Sequence, residues 1–203
     1  MKDRYYSRHA AGLRGELGTV LPAEVLRSFH DRIAWRHAVV AVRQFVVLGL
    51  CTWGLVRLSH PLAWMPLALV QGFTVFNFTV LLHEVVHHAV FAQRRPVLDR
   101  VLGFLYAIPS GISATQFTRW HLDHHAELGS AEADPKRHHL SPKVNARWYK
   151  LLYATPVLFP IYFRAARRES ATYPGEVQRV IARERYLSTA VHLVVLAAVW
   201  FWA

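Results

Sequence analysis

The chain has 203 residues, 53% of them hydrophobic and 13% aromatic, with a mean hydropathy of +0.16 and a formal charge of +11. Apolar and strongly basic together argue against an ordinary soluble domain and fit a membrane protein with a basic cytoplasmic face. A soluble nucleic-acid binder would not need long uncharged apolar runs, and the single cysteine, Cys51, excludes an internal disulfide.

Residues 1–37 are polar and basic, and read as a cytoplasmic or interfacial segment ahead of a membrane domain over residues 38–203. Within it Leu21, Val25, Leu26, Phe29 and Ile33 recur at helical spacing. They predict an amphipathic helix that either lies in the membrane interface or packs on the rest of the protein. The first apolar run begins only near Ala38, after a charged segment, which is unlike a cleavable signal peptide. Val39–Leu58 and Leu62–Leu82 are each long enough to cross a ~30 Å hydrocarbon core at about 1.5 Å per residue. Arg43 sits near the start of the first run, where it can snorkel to the headgroups. The turn around Ser59, His60 and Pro61 makes the two runs a transmembrane hairpin.

Val101–Ile112 is apolar but too short to span, and Pro109-Ser110-Gly111 interrupts it. It reads as a re-entrant or interfacial segment. Leu151–Phe163 is similar, broken by Pro156 and Pro160 and followed by Arg164, Arg167 and Arg168. Leu187–Ala203 begins a third, incomplete span. Lys and Arg number seven in residues 1–37 and fifteen in residues 83–185, against Arg57 alone in the intervening turn. The positive-inside rule then places the N-terminus and residues 83–185 in the cytoplasm. Twenty Arg against four Lys fits a GC-rich genome and a bacterial inner membrane. The fold class is therefore all-α and integral to the membrane, with a cytoplasmic helical cap.

That cap carries the chemistry. Six of thirteen histidines fall in two clusters, His83-Glu84-Val85-Val86-His87-His88 and His121-Leu122-Asp123-His124-His125. His83 and His87 are four apart and share a helix face. His121 is three from His124 and four from His125, so these three also face one way. Imidazole is a neutral ligand suited to iron, zinc and copper, so five such side chains, or six with His88, read as a metal site. His88 is either a further ligand or a neighbour. Glu84 and Asp123 are candidates to hold the other ring nitrogen of a ligating histidine. His138 and His139 read as part of a solvated loop, and His192 as a packed or hydrogen-bonded histidine within an apolar face. His83–His87 also matches H-E-x-x-H, the zinc protease signature, with Glu84 as the base. That reading leaves His121, His124 and His125 unexplained. A histidine-rich membrane metal transporter would place its ligands within the spans, which offer only His192.

An H-x3-H box after the second span and an H-x-x-H-H box some 35 residues later, with a short apolar segment between, resemble the membrane fatty-acid desaturase family. Leu128-Gly129 and Asp134-Pro135 resemble the run that follows the family's second box, and Trp148–Arg168 its interfacial segment. The nearest branch is that of the sphingolipid and bacterial acyl-lipid desaturases. The resemblance implies two non-haem iron ions held by His83, His87, His121, His124 and His125, with His88 a further candidate. It also implies O2, and an electron donor such as ferredoxin or a cytochrome b5 type protein. The substrate would be a lipid acyl chain, which is desaturated or, by the same di-iron chemistry, hydroxylated. Arg94, Arg95, Arg119, Lys136 and Arg137 lie near the clusters and fit either an acidic donor or anionic lipid. The family's fourth span and third H-x-x-H-H box are missing. The expectation is thus an N-terminal portion of a desaturase, inactive alone.

Overall fold

The computed structural model describes residues 5–29, 31–130, 132–136, 148, 151, 155 and 157–202. Among these residues there is no strand. The helices are α1 (Tyr5–Val20), α2 (Ala23–Ser28), α3 (Ala34–Arg57), α4 (Pro61–Val86), α5 (Pro96–Ala107), α6 (Ala114–Ala126), α7 (Leu158–Ser170) and α8 (Gly175–Trp202). Three of them, α3, α4 and α8, are long and apolar enough to cross a membrane. The chain divides into two compact units, residues 30–114 with 181–203, and residues 1–29 with 115–180.

The first unit is built on the α3–α4 hairpin. Pro61 opens α4 at a position where a missing N–H costs nothing, and His60 Nδ1 caps it by accepting from the Leu62 N–H at 3.3 Å. The two helices approach closely at Gly54, where a Cβ would come within 2.9 Å of Leu67 Cδ1. Gln71 Nε2 donates to Thr52 Oγ1 at 2.9 Å across the same interface, a polar link suited to apolar surroundings. The buried positions of α4, among them Thr74, Phe78, Leu81, Leu82 and Val85, recur at helical spacing and form one face. Phe78 packs on Phe45 of α3 and near Tyr106 of α5, with ring centroids 4.7 and 6.4 Å away. The opposite faces are apolar and exposed, at Val42, Val46 and Leu50 of α3 and Leu69, Phe73 and Phe76 of α4, as lipid contact requires. The C-terminal end of α8 lies beside that of α3, with the Arg57 guanidinium 5.6 Å from the centre of the Trp202 ring. Toward the other end, Ser113 Oγ donates to Glu184 Oε2 at 2.5 Å.

In the second unit α6 packs on α7. Trp120 stacks on Tyr162 at 5.2 Å between ring centroids and is buried with Ala165 and Ala166. Gln116 Nε2 donates to the Ala166 carbonyl at 2.8 Å.

The helices differ from the segments read in the sequence at four places. The amphipathic helix expected over residues 21–33 shrinks to α2, which starts after Pro22 at its N-cap and ends with Phe29 as its C-cap. The helix that carries the second apolar run does not stop at Leu82. Its backbone bonds continue through the polar residues His83 and Glu84, which the apolar count left out. The helix that carries the third apolar run, α8, starts at Gly175, ahead of Leu187, since the Glu, Gln and Arg residues before the run are themselves good helix formers. Pro160 does not break α7. It lies in the first turn, where no N–H is needed. His138, His139, Arg137 and Pro156 lie outside the described residues.

Candidate metal centre

In the first unit His83 lies in the last turn of α4, and His87 is its C-cap. Their ring centroids are 4.5 Å apart, the outcome of the i, i+4 spacing on a helix. His88 follows in the left-handed region at φ 52°, which turns its ring away from the helix path. Its Nδ1 lies 3.0 Å from Asp99 Oδ2 in the first turn of α5.

Glu84 is engaged elsewhere. Its Oε2 lies 2.7 Å from Nδ1 of His37, at the start of α3, and His37 Nε2 lies 2.9 Å from the Tyr106 hydroxyl. A carboxylate only accepts, so Nδ1 of His37 donates to Glu84 and Nε2 accepts from Tyr106. The order matches the state of Tyr106, whose pKa is pushed up to about 12 by burial first and by the Glu84 charge second. The phenol therefore keeps its proton at any ordinary pH. This chain of three side chains ties α3, α4 and α5 together behind the first histidine pair.

In the second unit His121 and His125 repeat the geometry, with ring centroids 4.4 Å apart. His121 is 5% exposed and stacks on Phe117 with the two rings nearly parallel. His124 is turned to Asp134, whose Oδ1 lies 2.7 Å from its Nδ1. Asp123 is exposed on the other side of α6 and lowers the acidity of the buried Tyr173 hydroxyl, whose pKa is raised chiefly by burial and then by Glu169. Burial lowers the pKa of Lys136. His192 donates from Nδ1 to the Ser188 carbonyl of its own helix at 2.7 Å, a bond within the helix rather than between helices.

The fatty acid desaturase family model matches residues 59–203 of the chain. The chain belongs to the fatty acid desaturase family. Within the curated proteins, sphingolipid delta(4)-desaturase DES1 of Drosophila melanogaster is 31% identical over 75 residues, which is 36% of this chain and 23% of that protein. The human protein of the same name is 34% identical over 59 residues, 29% of this chain and 18% of that protein. The matched stretch thus spans roughly a fifth of these relatives' length. No solved structure matches the chain.

The residues fit the iron that the desaturase family implies. Each unit presents a pair of imidazoles on one helix face, together with a further histidine whose Nδ1 is held by a carboxylate, the usual arrangement around a metal-bound imidazole. The carboxylates in these contacts are Asp99 and Asp134, not the box residues Glu84 and Asp123. Spacing could not have found them. Asp99 and Asp134 are brought in by turns, and His37 is a lone histidine at the start of an apolar run.

Proposed function

We propose that this desaturase-family chain takes part in O2-dependent insertion of a double bond into the acyl chain of a membrane lipid. The ligands of its two iron ions would be His83, His87, His88, His121, His124 and His125. The observation that carries the reading is the repeated pair, two imidazoles about 4.5 Å apart on α4 and two about 4.4 Å apart on α6. Bound iron would supply the activation of O2 and removal of hydrogen from an unactivated C–H bond. The chain's own contribution is to hold neutral imidazoles rigidly and to keep the site where an acyl chain can reach it without leaving apolar surroundings. The three membrane-length helices support that placement. The sphingolipid desaturases among its relatives make a sphingolipid acyl or sphingoid chain the first substrate to test. Glu84 Oε2 is held by His37, which speaks against its use as the general base of a zinc protease.

The test is expression in a host lacking desaturases, with a ferredoxin or cytochrome b5 type donor supplied, followed by gas chromatography of the lipids and metal analysis of the purified protein. Iron bound by the chain supports the metal reading, and a new double bond dependent on His121 would support desaturation and overturn the expectation that the chain is inactive alone. A hydroxyl group in its place would assign hydroxylation, and stoichiometric zinc with neither product would overturn it.

We further propose that both histidine boxes face the cytoplasm of a bacterium, on the asymmetry of Lys and Arg between the segments. The exposed Arg94 and Arg95 would then be open to an acidic electron donor. Cysteine introduced at Ser59 should label only from outside, and cysteine at Ser130 only from inside, with Cys51 replaced. Labelling of both from one side would rule out this orientation.

A further inference from the structure

We propose that Asp99 and Asp134 are positioning residues of the metal centre, each fixing one box histidine with its Nε2 presented as the ligand atom. The inference rests on the di-iron reading above and adds to it two residues outside the boxes.

The two boxes share a pattern. In each, an i, i+4 pair lies on the helix face, and one histidine is left out of it: His88 in the first box and His124 in the second. Each of those two is held by a carboxylate through Nδ1, at 3.0 Å from Asp99 Oδ2 and 2.7 Å from Asp134 Oδ1. His88 lies beyond the C-cap of α4, where the helix no longer aims it. His124 shares a face with His121 at i, i+3, but its ring plane is not set by the helix, so a neighbour must fix it.

Both carboxylates are built for that task. Asp99 is 9% exposed and Asp134 2%. A buried carboxylate is tolerated only when donors surround it. Asp134 Oδ1 also accepts from the Lys136 N–H at 3.0 Å, and its Oδ2 accepts from the Gly129 N–H at 3.3 Å. Gly129 stands at φ 92°, a conformation open to glycine and strained for other residues, and this turn brings its N–H onto the carboxylate. Asp99 sits in the first turn of α5, where the helix dipole favours negative charge.

The consequence is a fixed tautomer. A carboxylate that only accepts requires Nδ1 of its partner to carry the proton, so Nε2 keeps its lone pair. It also fixes the plane of the ring. For His88 the contact does more, since the left-handed backbone at φ 52° is one that non-glycine residues hold only when their surroundings impose it. Asp99 is the group that holds the ring on the far side of that turn.

The experiment uses the full chain in detergent, with iron(II) affinity measured by chelator competition and the cobalt(II) absorption spectrum as a second readout. Asp99→Asn and Asp134→Asn keep size and an acceptor oxygen but remove the charge. Each should weaken iron binding about 10- to 100-fold and shift the cobalt bands. In a His124→Ala background, Asp134→Asn should change neither, and likewise Asp99→Asn in a His88→Ala background. Unchanged affinity and spectrum in the single variants would overturn the inference. So would an equal loss in the histidine-deleted background, which would mark the aspartates as structural only. Wild-type protein that takes up no iron would overturn the metal reading, and this inference with it.

Discussion

Replacing His87 or His121 by alanine is expected to abolish stoichiometric iron binding, and with it any acyl-chain conversion that the protein supports. These two sit in different helices and belong to different imidazole pairs, at 4.5 Å from His83 and 4.4 Å from His125. If the boxes act as one centre, deleting either partner must be felt by the whole. Apparent binding energies of about 10–16 kcal/mol for four-ligand structural zinc sites imply roughly 3 kcal/mol per ligand, and a loss on the order of 100-fold in affinity sets the scale for each imidazole removed here. His192→Ala is the control. It removes an imidazole that is bonded to the Ser188 carbonyl of its own helix, and iron content should not change. Iron-to-protein ratios of the purified variants decide the matter. Zinc retained by His121→Ala but lost by His87→Ala would point to a site made by α4 alone, the arrangement of the protease signature.

What the sequence made legible follows the range of the interactions concerned. The membrane helices are set by a local property, the length of an uncharged run, and α3 and α4 appear where those runs lie. The histidine pairs are set by the helical repeat, so i, i+4 spacing was enough to bring His83 to His87 and His121 to His125. The partners of His88 and His124 were not legible, because Asp99 and Asp134 reach them through turns whose geometry no periodicity encodes. His37 was further out of reach. It is 47 residues from Glu84, and only the crossing of α3 on α4 makes them neighbours. Glu84 illustrates the limit of motif reading, since its place beside His83 fixed the candidate role while its side chain turned to a different helix.

Phe78→Ala should cost about 3 kcal/mol of stability, more than any other single truncation of an apolar side chain in the first unit, because Phe78 is the largest side chain there with no exposure at all. Its ring fills the space between Phe45 of α3 and Tyr106 of α5. Within a bilayer the gain from leaving water is small, since lipid tails are as apolar as a packed core. The loss therefore consists of dispersion contacts and the cavity left behind. Phe73→Ala on the same helix supplies the comparison. That ring is 69% exposed on the face open to lipid, so its removal should change stability by no more than about 0.5 kcal/mol. Unfolding of both variants in mixed detergent micelles measures the difference. Equal effects would mean that the α3–α4–α5 wedge is not the packed core of this unit. The expected large effect would also extend to the metal centre, because Phe78 and Leu82 anchor the last turns of α4, from which His83 and His87 project on another face. Iron affinity should therefore fall with Phe78→Ala and hold with Phe73→Ala, separating the rigidity of α4 from the mere presence of its histidines.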